Sequence, residues 1–330
     1  MAFNKDLSII IPASNKNGIF INKTIEDILI NIEMDTEIIV VYNGAWPDPG
    51  IPQHERINMI HYVEKIGQRV ATNTGVRLSK AKYVMKLDAH CSFDKGFDRK
   101  LIENMQDNWT VAPIMKNLHA FNWKCYKCGA QWYQGPTPIR CMKVQENKLV
   151  ENRDCSGADF RRKMIWKPRR GTHSTSYSFD AEPHFQYFNN YTIRPEYKET
   201  LEKTGLTESM SLQGSCFMCT REKYWELDIC DETVGSWGNQ GIEVACKTWL
   251  SGGRVIINHK TWYAHMFRTQ GGDFGFSHPM PGNEVLLTKK KVWDLFFNNN
   301  WPKQIYPVSW LIEKFWPVPG WTQESLDKIK

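Results

Sequence analysis

The 330-residue sequence has no apolar run long enough to cross a bilayer; stretches such as Leu7 to Pro12 fall far short of the about 20 residues a spanning helix needs. Met-Ala-Phe-Asn-Lys-Asp offers no basic segment followed by an apolar stretch, so a secretory signal is not expected. No internal repeat and no low-complexity tract is present. The nine cysteines are an odd number without an export signal. Free or metal-bound thiols in a reducing compartment are therefore expected, not disulfide staples. These absences argue against a secreted, membrane-spanning, fibrous or disulfide-stapled protein. The expected setting is cytoplasmic, with no membrane partner.

What is present is a globular composition, 41% hydrophobic and 24% charged. The net charge of +6 is concentrated: thirteen Lys and Arg against four acids lie between Lys116 and Arg170. A field gathered in one segment points to an anionic partner, or else to a solvated surface loop.

The first 115 residues alternate between strand and helix signals. Leu7–Ile11, Glu37–Tyr42, Met59–Val63 and Tyr83–Leu87 read as strands. Ile25, Ile28, Leu29 and Ile32 form one helical stripe, and Gly67 to Ala81 reads as a second helix. Such alternation implies an α/β fold with a mostly parallel sheet and flanking helices. Ligands of such sheets bind outside the carboxyl ends of the strands, where Asn43 and Asp88 fall. Residues 119–205 break this rhythm with Trp, Tyr, Cys, Pro and basic residues, and read as an irregular insertion. Regular signals return from Ser215, with helices near Ile242–Leu250 and Glu284–Phe296 around a strand at Arg254–Ile257. The tail from Trp301, rich in Trp and Pro, cannot form a long regular element.

Asp88 and His90 stand two residues apart where a strand ends, so both side chains point to one side and can grip one ion. An oxygen and a nitrogen ligand suit Mn²⁺, Mg²⁺ or Zn²⁺, and such an ion can neutralise a diphosphate. Cys125-Tyr-Lys-Cys128-Gly129 is similar to a zinc knuckle, with Cys141 and Cys155 as completing ligands of a structural Zn²⁺. Buried thiols are the other reading. Trp123, Trp132, Tyr133 and Trp166 interleave with cations, a composition that suits stacking on sugars or unstacked bases and equally suits a core.

Leu7 to Asn43, Gly67 to Gly75 and Tyr83 to His90 together resemble the nucleotide-sugar-binding half of a GT-A glycosyltransferase with the layout of family 2. Asp231, Trp237-Gly238, Glu243, Trp249, Gly252-Gly253 and Ala264-His265-Met-Phe-Arg268 resemble the catalytic core of the polypeptide N-acetylgalactosaminyltransferases. The resemblance implies a Rossmann-like GT-A fold. Its expected parts are a nucleotide-sugar-binding half (1–115), a basic Cys/Trp-rich insertion on the acceptor side (116–205), a metal and acceptor half (206–300) and a Trp/Pro-rich tail (301–330). It implies a metal-dependent glycosyltransferase using Mn²⁺ (or Mg²⁺) and a UDP-sugar.

Carried over by residue, Asp88, His90 and His265 are implied as metal ligands. Pro12, Ser14, Asn43, Gly67, Arg69, Asn73, Asp88 and Arg268 are implied around the donor, and Trp237, Gln240, Glu243 and Arg268 in catalysis. The sequence departs from the family at Tyr42-Asn43, where a carboxylate is usual, and at Asn239-Gln240-Gly241. Gly241 stands where inverting enzymes place an Asp, which argues for retention unless Glu243 or an insertion residue substitutes. The segment Gly271–Gly282 is expected to close over the donor. The acceptor is expected to be a polyanion, with hydroxymethylated DNA the concrete candidate and clusters such as Arg161-Arg162-Lys163 and Lys167-Pro-Arg169-Arg170 on its phosphates. Anionic glycans are a rival, and an inactive nucleic-acid-binding module is the alternative from another class.

Overall fold

A computed structural model describes residues 3–267 and 283–330. The first unit is built from four parallel strands, β1 (Lys5–Ala13), β2 (Thr36–Asn43), β3 (Ile57–Tyr62) and β4 (Ala81–Leu87), in the order β4-β1-β2-β3. Leu7, Ile9, Ile10 and Ile11 on β1 are wholly buried, because helices cover both faces of the sheet. Helix Ile19–Asn31 buries Phe20, Ile21, Ile25 and Ile28, and helix Gln68–Leu78 returns the chain to β4. The main sheet has eleven strands, and besides two from the insertion it also contains the short β5 (Cys91–Phe93), the long β6 (Trp109–Cys125), β13 (Leu206–Glu208), β14 (Cys216–Thr220) and β15 (Arg254–His265). Its main path runs β13-β15-β6-β14-β4-β1-β2-β3, with β5 paired to β15 off that path. β15 and β6 are parallel, whereas β14 and β13 run antiparallel to their neighbours, so the sheet is mixed.

The insertion is more regular than its composition implies. Its strands are β7 (Gln131–Tyr133), β8 (Met142–Gln145), β9 (Lys148–Glu151), β10 (Phe160–Pro168), β11 (Tyr177–Phe179) and β12 (Phe185–Tyr187). β10 and β7 both pair with the distal half of β6, while β8–β9 and β11–β12 are separate two-stranded units. The strands are short, and β10 shifts register between Met164 and Lys167, which hides their period from a sequence reading. β6 also runs through the expected boundary at 115/116, so the insertion begins inside a core strand. Trp123 and Trp132 are buried in a cluster with Phe20, Phe121 and Ala264, which assigns them to packing.

The tail forms two short helices, Val308–Lys314 and Gln323–Asp327. Trp301, Leu311, Phe315 and Trp321 pack into the large core around Trp249, so the tail is an integral layer. Among the described residues no helix is long and apolar enough to cross a membrane.

Candidate active site

The carboxyl ends of β1, β2 and β4 open onto a cleft of about 520 Å³ lined by Pro12, Ser14, Asn43, Asp88, His90, Trp237, Gln240 and His265. Three chain segments bring the charged groups together. β4 ends at Leu87 and delivers Asp88, whose backbone N–H donates to the Ser215 carbonyl at 2.8 Å. His90 follows on the same side, and β15 ends on His265. The ligand atoms of Asp88, His90 and His265 lie within 4.8 Å of one another. Asp88 Oδ2 and His265 Nε2 are 3.2 Å apart, close to the about 3 Å between neighbouring ligands of an ion bound at about 2.1 Å. His265 Nδ1 is buried without a hydrogen-bond partner. One oxygen and two imidazole nitrogens are a donor set that suits a divalent transition metal, so these residues fit Mn²⁺.

The electrostatics agree with that donor set. Burial, then repulsion from His265, pushes His90 down to about 3, which leaves its imidazole neutral and able to coordinate. Burial alone would raise the Asp88 carboxyl. The charge of Lys86 and the hydrogen bond from His265 outweigh it and hold the group well below the usual carboxylate range.

Lys86 escapes the sequence reading. It is almost fully buried, its Nζ forms a short contact with Asp88 Oδ1, and it donates to the Gly214 carbonyl at 2.6 Å. The available signal was strand parity, since Lys86, Asp88 and His90 alternate onto one side. Gln68 was also missed. It opens its helix at the cleft and reaches Asp88 Oδ1 at 3.4 Å.

Asn43 is buried, and its Nδ2 donates to the Ala13 carbonyl at 2.9 Å. Its Oδ1 is buried without a partner, an acceptor left in the wall of the cleft. Gln240 lines the cleft and donates to the Cys230 sulfur at 3.2 Å. Gly241 cannot carry a side chain: a Cβ there would lie 2.0 Å from the Leu212 carbonyl oxygen.

Four residues expected at the donor or in catalysis sit behind the cleft. Arg69 Nε and Nη2 donate to Glu243 Oε2 at 3.0 and 2.7 Å, and its two Nη groups hold the Gly235 and Gly238 carbonyls. Glu243 is fully buried and its other oxygen accepts from Lys247 at 2.8 Å and from the Asp231 N–H at 3.1 Å. With every lone pair so engaged, Glu243 faces no substrate. Asn73 donates to the Cys230 carbonyl and to Glu232. Gly67 opens the helix at φ 82°, tight against Ser236. These residues shape the wall carrying Trp237 and do not line the cleft. Arg268 and the Gly271–Gly282 segment lie outside the described residues.

In the insertion, the sulfurs of Cys125, Cys128, Cys141 and Cys155 converge within 4.8 Å of one another. Strand alternation divides the basic triplet on β10. Arg161 and Lys163 are exposed, whereas Arg162 packs its guanidinium over Phe20, Phe121 and Trp123 at 5.1–5.5 Å. Arg162 therefore serves the aromatic core and not a phosphate surface. Lys167, Arg169 and Arg170 instead share an open cavity of about 880 Å³ with Lys116, His119 and His173, and no carboxylate lines it.

Residues 8–167 match the family model "Glycosyl transferase family 2". The chain is 22% identical over 326 residues to the putative polypeptide N-acetylgalactosaminyltransferase 13 of Drosophila melanogaster, covering 93% of this chain and 48% of that protein. It is 21% identical over 260 residues to the probable N-acetylgalactosaminyltransferase 6 of Caenorhabditis elegans, covering 77% of this chain and 34% of that one. The chain thus spans half or less of the length of these relatives. A crystal structure of GalNAc-T7 with UDP, GalNAc and Mn²⁺ superposes with a TM-score of 0.64 at 13% identity, over 98% of this chain and 54% of that one. This chain has the GT-A glycosyltransferase fold and resembles the polypeptide N-acetylgalactosaminyltransferases.

Proposed function

We propose that this protein is a metal-dependent glycosyltransferase that moves a sugar from a UDP-sugar to a hydroxyl group of a polyanionic acceptor. The observation that carries the reading is the convergence of Asp88, His90 and His265 at the strand ends that also present Asn43. Asp88, His90 and His265 would hold Mn²⁺ or Mg²⁺. Bound there, the ion supplies Lewis-acid stabilisation of the diphosphate as negative charge develops on it. The unpartnered Oδ1 of Asn43 accepts the imide N–H of uracil, a proton that cytosine lacks. Lys86 adds a fixed cation beside the same diphosphate, and Trp237 shapes the place where sugar and acceptor meet. Retention of configuration is the stereochemical part of the proposal. Its support is that Gly241 has no room for a carboxylate and Glu243 is sealed in ion pairs.

The acceptor belongs on the acid-free basic cavity. Strand register sets Lys116 beside Ala264, one residue from the metal-side His265. DNA bearing a hydroxymethylated base remains the concrete candidate, because it supplies both the phosphates and the hydroxyl nucleophile. A cytoplasmic setting is part of the proposal, supported by nine cysteines that are all unpaired. UDP-sugar hydrolysis and transfer to hydroxymethylated duplex, measured with Mn²⁺ and after its removal, tests the reading. Mn²⁺-dependent UDP release lost in His265→Ala is expected, and metal-independent release would sink it. For the acceptor, duplex affinity should fall steeply between about 50 and 200 mM salt and drop in Lys167→Ala/Arg170→Ala. Equal weak binding by both proteins would remove DNA from the proposal and leave the donor half standing.

A further inference from the structure

The hairpin at the far end of the insertion has almost no core. Between Gly135 and Asp159 the one buried residue is Cys141, and Val144 and Leu149 are half or more exposed. A segment of this length with so little apolar burial cannot offset its own ordering entropy, so something else must fix it. The four thiols sit where that fixing is needed. Cys125 closes β6 and Cys128 follows in the next turn, while Cys141 and Cys155 flank the β8–β9 hairpin on either side.

Their spacing is that of a coordination shell. Cys128 and Cys141 sulfurs are 3.5 Å apart, and Cys125 and Cys155 sulfurs 3.8 Å apart, with all four within 4.8 Å. Sulfurs bound tetrahedrally at about 2.3 Å from zinc stand about 3.8 Å from one another. The surroundings are those that thiolates need. Asn152 Nδ2 donates to the Cys128 and Cys141 sulfurs at 3.7 Å, and the Gly157 N–H donates to Cys155 at 3.4 Å. Gly157 also stands where a Cβ would come within 2.6 Å of the Cys125 sulfur, so its backbone closes over the cluster as no other residue could.

We propose that Cys125, Cys128, Cys141 and Cys155 bind one structural Zn²⁺ that pins the hairpin to the end of β6. The site is independent of the transferase reading. It is closed, with four protein ligands and no open position, and lies in the insertion and not among the residues of the donor cleft. Binding displaces the thiol protons into solvent and leaves four thiolates on the ion.

The test is elemental analysis of the full chain purified under reducing conditions without added metal, combined with Co²⁺ substitution. One zinc per chain is expected in wild type and in Asp88→Asn, and none in Cys128→Ser/Cys155→Ser. Co²⁺ in refolded wild type should give thiolate charge-transfer absorption and intense tetrahedral ligand-field bands. This readout holds even if the serine variant fails to fold. Zinc absent from wild type, zinc lost in Asp88→Asn but kept in the serine variant, or iron in its place would each overturn the assignment. So would peptide mapping that finds Cys125–Cys155 and Cys128–Cys141 disulfides in the reduced preparation.

Discussion

Arg69 gives two hydrogen bonds to a single oxygen of Glu243, and solvent reaches neither side chain. Lys247 occupies the other oxygen and also lies 4.0 Å from the Asp231 carboxylate, so Arg69 depends on Glu243 alone for a counter-charge while Lys247 has a second, longer one. Removing the charge of Glu243 strands Arg69, and uncompensated buried charge costs about 3–5 kcal/mol. Glu243→Gln should therefore lower the denaturant midpoint sharply. A variant as stable as wild type would free Glu243 for a role in catalysis.

Asp88 carries two burdens, and they can be separated. It neutralises buried Lys86 as well as presenting an oxygen to the metal. Asp88→Asn should therefore lose both Mn²⁺-dependent UDP binding and stability. His265→Ala should lose binding by a factor of about 100 or more while leaving the Lys86–Asp88 pair in place. Lys86→Met/Asp88→Asn should recover the stability but not the binding. Calorimetric titration with UDP and Mn²⁺, read beside thermal melts, distinguishes these. Full binding by the double variant would move the metal elsewhere.

Asn43 offers a test of base recognition. Its amide nitrogen is spent on the Ala13 carbonyl, and its oxygen has no partner. Asn43→Ala removes the acceptor and should weaken UDP binding about tenfold, the worth of one hydrogen bond near 1.5 kcal/mol. Discrimination between UDP and CDP should fall with it. Unchanged discrimination would place uracil readout on another group.

Asp27 makes stability depend on pH. Burial raises its carboxyl to about 6, against hydrogen bonds from the Phe93 N–H and Asn31. The folded state then holds a proton that the unfolded chain releases near pH 4, so stability from this group is full below that value. It is lost as pH rises through about 6. Asp27→Asn should melt higher relative to wild type at pH 7.5 than at pH 4.5, by roughly 1–2 kcal/mol after allowance for partial solvent screening. A difference independent of pH would contradict the shift.

The first unit was legible because β1, β2 and β4 are short strands rich in apolar residues, and ligands of such sheets bind at their carboxyl ends. Asp88, His90 and Asn43 follow from that alone, and His265 from the resemblance. Arg69 and Asn73 were expected at the donor and Glu243 in catalysis, whereas all three are engaged with one another's neighbours behind the cleft. A motif records that a charged residue is required without saying whether it meets substrate or another charge 174 positions away in sequence. The insertion resisted for a different reason. β6 continues into it unbroken, while β7 and β11 are three residues long and carry no readable period. Arg162 was misread because adjacency along the chain was taken for adjacency on a surface, which a strand never permits.

The continuity of β6 also decides how this protein can be cut. Lys116 and Asn117 are the strand neighbours of Ala264 and His265. Excising 116–205 as a cassette would thus strip the end of β15 of one of its two neighbours and leave His265, a residue far outside the deleted stretch, held by β5 alone. The opposite operation has a natural place. Glu146 and Asn147 both adopt positive φ, at 49° and 62°, in the two-residue turn between β8 and β9. A label or grafted peptide entering at that exposed tip would disturb neither the sheet nor the donor cleft, which makes it the point of attachment for following the protein by fluorescence.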